Sequence, residues 1–338
     1  MLLSLFCGIG GLDLGFEQAQ YTIGLAFDKN PDSLQSYIHN RAGCVHAHVH
    51  DVRDLTVEKL DEFYGAEFRP EGVIGGPPCQ SFTHAVHGVE DDDPRHELPL
   101  VYAALIGALN RRSPVSFFVL ENVTGLCEDR HTERFTEIKA AFAQAGFRVH
   151  QAVLNARDYS TPQNRERVFL VGLNATRPET LIWAPPPPTT RSPTEVTVRA
   201  AIHGLAEPQL FARGVVPDTF PVHRNHWCMR PKSQKFTRPG ALTPGDGRHR
   251  SFKTLHWERP SFTVAYGHRE VHVHPDCHRR LSVFESLLLQ GFPRNFELLG
   301  NLSSQFNQIS EAVPPPMAHA VALSLRALLE PQTAATPD

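Results

Sequence analysis

Leu2-Leu3-Ser4-Leu5-Phe6-Cys7-Gly8-Ile9-Gly10-Gly11-Leu12-Asp13-Leu14-Gly15-Phe16-Glu17 decides how the chain is read. Leu2–Phe6 has the composition of a buried strand, and helical period begins at Gly11. Between them lies a glycine-rich turn, where a cofactor can approach the backbone with a helix N-terminus beneath it. A lone Gly-x-Gly-Gly is weak on its own, so the elements that follow matter. Further strands are expected at Tyr21–Phe27, Gly72–Ile74, Ser116–Leu120, Arg148–Leu154 and Arg167–Leu173. Helices are expected at Gly11–Gln18, Pro31–Asn40, Leu98–Asn110 and Thr132–Ala145, and again at Arg280–Gln290 and Pro316–Leu329. Strands alternating with helices up to about residue 173 predict an α/β sheet covered on both faces.

Composition sets bounds. The 338 residues, 41% hydrophobic and 20% charged, suit a globular enzyme of two domains or one large one. The net charge of −3 announces no global basic field. Six cysteines stand far apart with no CxxC pair, which argues for reduced thiols in a cytosolic setting. The apolar opening lacks a basic n-region and reads as a strand, not a signal peptide. No run of about 18 apolar residues predicts a membrane span. His46, His48 and His50, and His272 and His274, alternate as strand residues do, with Cys277-His278 nearby. They do not show the four converging ligands of a zinc site, so no metal is expected.

The character changes at Ala184-Pro185-Pro186-Pro187-Pro188, which reads as a stiff linker. Beyond it the chain is rich in Pro, Gly, His and Arg. Between Arg224 and Arg259 nine Lys or Arg face only Asp246 and Glu258, a local balance of +7. Trp227, Phe236, Phe252 and Trp257 are interleaved, a pattern suited to a phosphate-contacting surface.

Four sites carry chemistry. Asp28, at the end of the second strand, can accept both hydroxyls of a ribose, and Asp51 can contact an adenine amino group. Gly75-Gly76-Pro77-Pro78-Cys79-Gln80-Ser81 places a cysteine on a stiff loop, as a nucleophile requires. Leu120-Glu121-Asn122-Val123 puts a carboxylate at a strand's carboxyl end, where sites in open α/β sheets lie. In Gln163-Asn164-Arg165-Glu166-Arg167, alternation points Arg165 and Arg167 to one side, where guanidinium groups suit phosphate or base carbonyl oxygens.

In order, Phe6–Glu17, Asp28, Asp51, Gly75–Thr83, Glu121-Asn122-Val123, Gln163–Gly172, Arg280–Pro293 and Gln308–Pro315 resemble the motifs of the bacterial-type DNA (cytosine-5)-methyltransferase family. The resemblance spans nearly the whole chain. It implies a class I S-adenosylmethionine-dependent methyltransferase (Rossmann-like) α/β fold with a smaller, irregular, mostly-β target-recognition domain. Residues 1–184 would bind S-adenosylmethionine, 185–300 would read DNA, and 301–338 would return to the catalytic domain. By motif position, Phe6, Gly8, Gly10, Gly11, Leu12, Asp28, Lys29, Asp51, Val52, Pro78, Leu98, Glu311, Ala312 and Val313 would surround the cofactor. Cys79 would add to C6 of a cytosine flipped out of the duplex and make C5 nucleophilic. Glu121 would protonate or hydrogen-bond N3, its pKa raised by apolar neighbours such as Phe118 and Leu120. Arg167 would hold O2, and Arg165 would support the loop or the phosphate. Ser81, Arg224, Arg230, Lys232, Lys235 and Thr263 are the expected DNA contacts. The implied partners are double-stranded DNA and, in a restriction–modification system, a separate endonuclease. A monomer in the bacterial cytoplasm, associated with the nucleoid, suffices.

One departure stands out. The last motif of the family reads Gln-x-Gly-Asn-Ala-Val-Pro-Pro, whereas this chain has Ser310-Glu311 in place of Gly-Asn. A carboxylate there adds negative charge beside the cofactor's amino-acid end, or pairs with a nearby cation. Two other functions share the motifs: a tRNA cytosine-5 methyltransferase, and a DNA-binding homologue with impaired catalysis. The Cys-Phe-Thr element of the first is absent, and Cys79, Glu121 and Arg167 all argue against the second.

Overall fold

A computed structural model describes residues 1–41, 43, 46–78, 94–248, 251–264 and 270–330. Its centre is a seven-stranded sheet of β1 (Leu2–Leu5), β2 (Ile23–Asp28), β3 (Ala47–Val49), β4 (Gly72–Gly75), β5 (Phe117–Val123), β6 (Phe147–Asn155) and β8 (Glu166–Asn174), with the two-residue β7 (Gln163–Asn164) just before β8. The order is β3-β2-β1-β4-β5-β8-β6. The first five run parallel, and β8 pairs antiparallel with both β5 and β6. Strand order reverses between β1 and β4, and the crevice beyond the carboxyl ends of such strands is where ligands settle in open sheets.

Helices cover both faces, as their apolar spacing requires. On one side α3 (Val57–Tyr64), α4 (Leu98–Arg112) and α5 (Thr132–Gln144) bury Leu60, Tyr102, Ile106, Ile138 and Phe142 against Leu3, Val73, Phe118 and Leu120. On the other, α1 (Gly11–Gln18) and α9 (Pro315–Leu329) bury Phe16, Met317 and Val321 against Leu2, Ile74, Val119 and Phe169. A Cβ on Gly15 would collide with Ala318 and the backbone of His319, so glycine sets the close approach of α1 and α9. The helix α2 (Pro31–His39) starts with proline at N1, and the Asn30 side chain accepts from the amides of Asp32 and Ser33.

The segment after the four prolines is more irregular than a β domain. Up to Val273 its described residues form α6 (Val198–Ile202), three short 3-10 turns and two-residue ladders. The ladders are β9 (Gln209–Leu210) with β10 (Trp227–Cys228), β11 (Lys253–Thr254) with β13 (His272–Val273), and β12 (Ser261–Phe262) with β7. Prolines and glycines deny it longer strands. It gains a core by borrowing one. Trp227 and Val264 pack with Ile9 of the glycine-rich turn, with α7 (Val283–Leu289) and with α8 (Leu302–Glu311). The proline run is itself pinned, since the Tyr159 hydroxyl donates to the Pro186 carbonyl at 2.8 Å.

Candidate active site

The glycine-rich turn is shaped by residues in the left-handed region: Phe6 at φ 56°, Gly8 at 53° and Gly10 at 81°. For glycine this is free, whereas for Phe6 it stores strain of about 1–3 kcal/mol, of the kind that collects at functional sites. Asp28 holds the turn open. Its carboxylate accepts the Gly8 amide at 2.8 Å with one oxygen and the Asn30 amide at 2.7 Å with the other. In front of Gly8 no described atom lies within 4 Å of where a Cβ would be. An open turn floored by a carboxylate fits the ribose and backbone approach of a nucleoside cofactor. Burial raises the pKa of Asp28, against those two amide hydrogen bonds and Lys29.

A buried network under the turn escaped the sequence reading. Ser4 and Tyr37 hydroxyls donate to Asp13 at 2.7 and 2.8 Å, and burial pushes the Asp13 carboxyl up to about 6 despite Arg41 nearby. Arg41 donates to the Gly10 carbonyl at 3.0 Å, pairs with Glu17 and lies over the Tyr37 ring. Arg41 is 24 residues beyond Glu17, with no local pattern to reveal it.

The second half of the site stands at the ends of β4 and β5. Gly75 is paired with Leu120, so the loop after β4 starts beside Glu121. A Cβ on Gly76 would sit 3.2 Å from the Glu121 carboxylate, and the Asn122 amide donates to the Pro77 carbonyl at 3.4 Å. Cys79 and Ser81 lie outside the described residues, but the chain reaches Pro78 next to this carboxylate. Glu121 and Arg167 form a diagonal cross-strand pair, because Glu121 faces Phe169 and Val123 faces Arg167 in the β5–β8 register. Arg167 Nε lies 3.0 Å from Glu121 Oε1, with both side chains nearly buried.

Burial raises the pKa of Glu121, and Arg167 and Arg165 oppose it. The expected neighbours are corrected here. Phe118 and Leu120 belong to the core on the opposite sheet face. On its own face Glu121 follows Val119 and lies across from Phe169.

Of the two roles expected of Arg165, its contacts are those of loop support, and it is 2% accessible. Its guanidinium donates to the Val264 carbonyl at 3.1 Å and the Ser310 carbonyl at 3.0 Å. Burial and the neighbouring Arg167 lower its pKa well below the usual arginine value, against the pull of Glu121. Two guanidinium groups against one carboxylate leave a positive field suited to an electron-rich oxygen. Arg165→Ala removes both carbonyl bonds and leaves a cavity. It is expected to lower unfolding stability by about 3 kcal/mol, read from the urea midpoint at unchanged m.

An amide relay runs alongside. Gln163 accepts from the Val264 amide at 3.0 Å and donates to Gln290 at 2.6 Å, and Gln290 donates to the Ala312 carbonyl. The Thr263 hydroxyl donates to the Asn164 carbonyl at 2.8 Å. These bonds join β7, the end of the irregular segment, α7 and the turn after α8.

Other expected residues divide. Phe6, Gly10 and Gly11 belong to the turn, the Val313 carbonyl lies against Gly11, and Lys29 and Glu311 lie within electrostatic reach of Asp28. Leu12, Val52 and Leu98 are buried at 5%, 3% and 5%, and Leu12 and Val52 belong to the two cores. Asp51 is engaged by Arg53 at 2.6 Å, whose hydrogen bonds hold its pKa down at about 2. Of the basic residues, Arg224 is committed to Asp218 and Glu297. Lys235 lies over the Phe252 ring, while Arg230 and Lys232 are exposed. His274, Asp276 and His278 bring ligand atoms within 4.8 Å of one another, with two of the three exposed. Three donors fall short of a closed zinc site. Among the described residues no helix is long and apolar enough to cross a membrane.

Comparison with known proteins agrees with this geometry. The family model for C-5 cytosine-specific DNA methylases matches residues 1–327. Type II methyltransferase M.NmeDI of Neisseria meningitidis serogroup C is 32% identical, with 98% of this chain and 84% of the relative aligned. Type II methyltransferase M.FnuDI of Fusobacterium nucleatum is 29% identical over 97% of this chain and 94% of its own. Among solved structures, a candidate DNA modification methyltransferase encoded in an Escherichia coli prophage superposes with a TM-score of 0.78. It is 21% identical, covering 97% of this chain and 99% of its own. The Dnmt2 methyltransferase of S. pombe gives a TM-score of 0.65 at 17% identity, over 98% of each chain. At these identities the two structures speak for the fold.

Proposed function

The chain belongs to the C-5 cytosine-specific DNA methylase family and is a DNA (cytosine-5-)-methyltransferase using S-adenosylmethionine, and from that premise we propose that its reaction runs through a bond between Cys79 Sγ and cytosine C6. The observation that carries this reading is that Glu121, paired with Arg167, lies against Gly76, and its neighbour Asn122 bonds Pro77, in the loop that leads to Cys79.

Each step then has a residue. The target base leaves the stack, because neither C5 nor C6 can be reached within the duplex. The Cys79 thiolate adds to C6 while Glu121 donates a proton or hydrogen bond at N3, and Arg167 holds O2. The electron pair arriving at C5 makes that carbon nucleophilic. S-adenosylmethionine, when bound, would supply the methyl group and be left as S-adenosylhomocysteine, and Asp28 with the Gly8–Gly11 turn would hold it. Loss of the C5 proton and expulsion of the Cys79 thiolate restore the ring. Arg165 is a positioning residue that fixes Val264 and Ser310 around the pocket.

Residues 1–184 and 301–338 form the catalytic unit in this reading, and 185–300 read the target. Arg230 and Lys232 are free for phosphate, and Thr263 stands at the junction. Arg224 contributes only if it leaves its two carboxylates. Similarity to type II methyltransferases supports a sequence-specific modification enzyme with a separate endonuclease, acting as a monomer on DNA in the bacterial cytoplasm. Tritiated S-adenosylmethionine is offered with duplex DNA or with tRNA. Label in DNA at a single bisulfite-mapped sequence supports the reading; label in tRNA alone overturns it.

A further inference from the structure

Glu311 departs from the motif in which it sits, and the fold gives it a defined place. It ends α8, where a carboxylate adds to the negative end of the helix dipole. The peptide around it leans on the glycine-rich turn, since a Cβ on Gly11 would collide with the Val313 carbonyl oxygen. Asp28 holds the Gly8 amide of the same turn. Arg165 holds the Ser310 carbonyl and Gln290 the Ala312 carbonyl, so the backbone is fixed on both sides of Glu311.

The Glu311 side chain itself is exposed. No hydrogen bond or ion pair engages it among the described residues. The expected alternative, a pairing with a nearby cation, is therefore not made among the described residues. Lys29 acts on it only at longer range. Desolvation of the carboxyl raises its pKa, Asp28 adds to that, and Lys29 opposes it. Three charged side chains thus lie within electrostatic reach of one another beside the turn, two negative and one positive.

Resting on the S-adenosylmethionine reading above, we propose that Glu311, together with Asp28, makes the cleft selective for the charged cofactor over the product left after methyl transfer. Both molecules carry an ammonium and a carboxylate. They differ by the methyl group and the positive charge of the sulfonium. A net negative cleft attracts that charge and loses the attraction once the methyl has gone. A unit charge several ångströms away across a partly solvated cleft is worth roughly a three- to tenfold difference in affinity. The asparagine usual at this position supplies no such term. Glu311 can weaken both ligands through their shared carboxylate and still discriminate between them, so the quantity to read is a ratio.

Calorimetric titration of the full chain at pH 8 tests this with three probes. They are S-adenosylmethionine, S-adenosylhomocysteine, and sinefungin, in which an amine-bearing carbon replaces the sulfonium. In Glu311→Gln the ratio of the S-adenosylhomocysteine Kd to the S-adenosylmethionine Kd is expected to fall about three- to tenfold. Sinefungin should follow S-adenosylmethionine, and Glu311→Asp should keep most of the ratio. Matched melting temperatures establish that the variants are folded, and Glu311→Asn serves as a second neutral variant. A ratio unchanged in both neutral variants overturns the proposal alone. Failure of the unaltered chain to bind either ligand overturns the cofactor reading and the proposal together.

Discussion

Replacing Cys79 with serine is expected to abolish methyl transfer to duplex DNA, while binding of DNA and of S-adenosylmethionine persists. The expected loss is on the order of a thousandfold or more, the scale on which removing a covalent nucleophile acts. A hydroxyl has almost no anion at neutral pH, whereas a thiol is partly ionised and intrinsically nucleophilic. No other described cysteine offers a substitute. Cys7 and Cys228 are buried, and burial pushes the Cys7 thiol well up and that of Cys228 to about 12. Cys127 and Cys277 are partly buried, and their pKa values are raised as well. Serine at Cys127 or Cys277, outside the turn and the strand ends, should leave the rate within about twofold of the unaltered enzyme, as is usual away from a functional feature. Tritium incorporation measures the rates, and gel shift measures DNA binding in the Cys79→Ser protein. Residual turnover above about one per cent would show that the thiol is not the nucleophile.

Glu121→Gln should carry the second largest effect, a fall in kcat of roughly a hundred- to ten-thousandfold. The amide keeps the shape and a hydrogen-bond donor but cannot give up a proton. The sign of the pH dependence follows from the environment. Burial raises the Glu121 pKa above the ordinary carboxylate value, and the two arginines only partly counter it. A protonated carboxyl is therefore present at higher pH than for a free glutamate and is lost as pH rises through the raised value. The rate of the unaltered enzyme should decline along that limb, and the limb should vanish in Glu121→Gln. Glu121→Ala should be slower still, and it leaves Arg167 without its carboxylate at 3.0 Å. A Glu121→Gln rate within threefold of normal would remove the carboxyl from the chemistry.

Much of this site was legible because its parts lie at strand ends, where local sequence is informative. The apolar run, glycines and helical period around residues 2–18 specify β1, the turn and α1, and α1 spans the expected Gly11–Gln18. The alternation puts Arg165 and Arg167 on one side, and in the fold that side faces Glu121. It says nothing of depth, and depth separates their roles. Arg165 is buried because Val264 and Ser310, 99 and 145 residues away, close over it. The strand expected to stop at Leu120 continues to Val123, because β8 pairs with it antiparallel through Arg167. That partnership is long-range and leaves no local mark.

Of the three described helices that the sequence does not suggest, α3, α6 and α8, two are hidden by composition. In α3, Glu58, Lys59, Asp61 and Glu62 mask an apolar stripe that Leu60 anchors. In α8, Ser303, Ser304, Asn307 and Ser310 dilute the apolar face of Leu302, Phe306 and Ile309, and the helix buries the amides of Gln305 and Gln308 as well. Gln305 accepts from Trp227 at 2.9 Å, and Gln308 accepts from Ser36 at 2.7 Å. Such amides look like surface residues until their partners are known. The relay from Gln163 through Gln290 to Ala312 is of the same kind. It is also why the irregular segment stays attached to the catalytic sheet without a long strand of its own.

The central claim is a bond between Cys79 and the target base, and trapping that bond tests it directly. Duplex DNA carrying 5-fluorocytosine at the mapped site is incubated with the enzyme and S-adenosylmethionine, then denatured and digested for mass spectrometry. Fluorine at C5 cannot leave as a proton does, so the thiolate cannot be expelled. A denaturation-resistant adduct on the peptide containing Cys79, absent in Cys79→Ser, is the predicted result. An adduct on another residue, or full methylation of ordinary DNA by the serine variant, would contradict it.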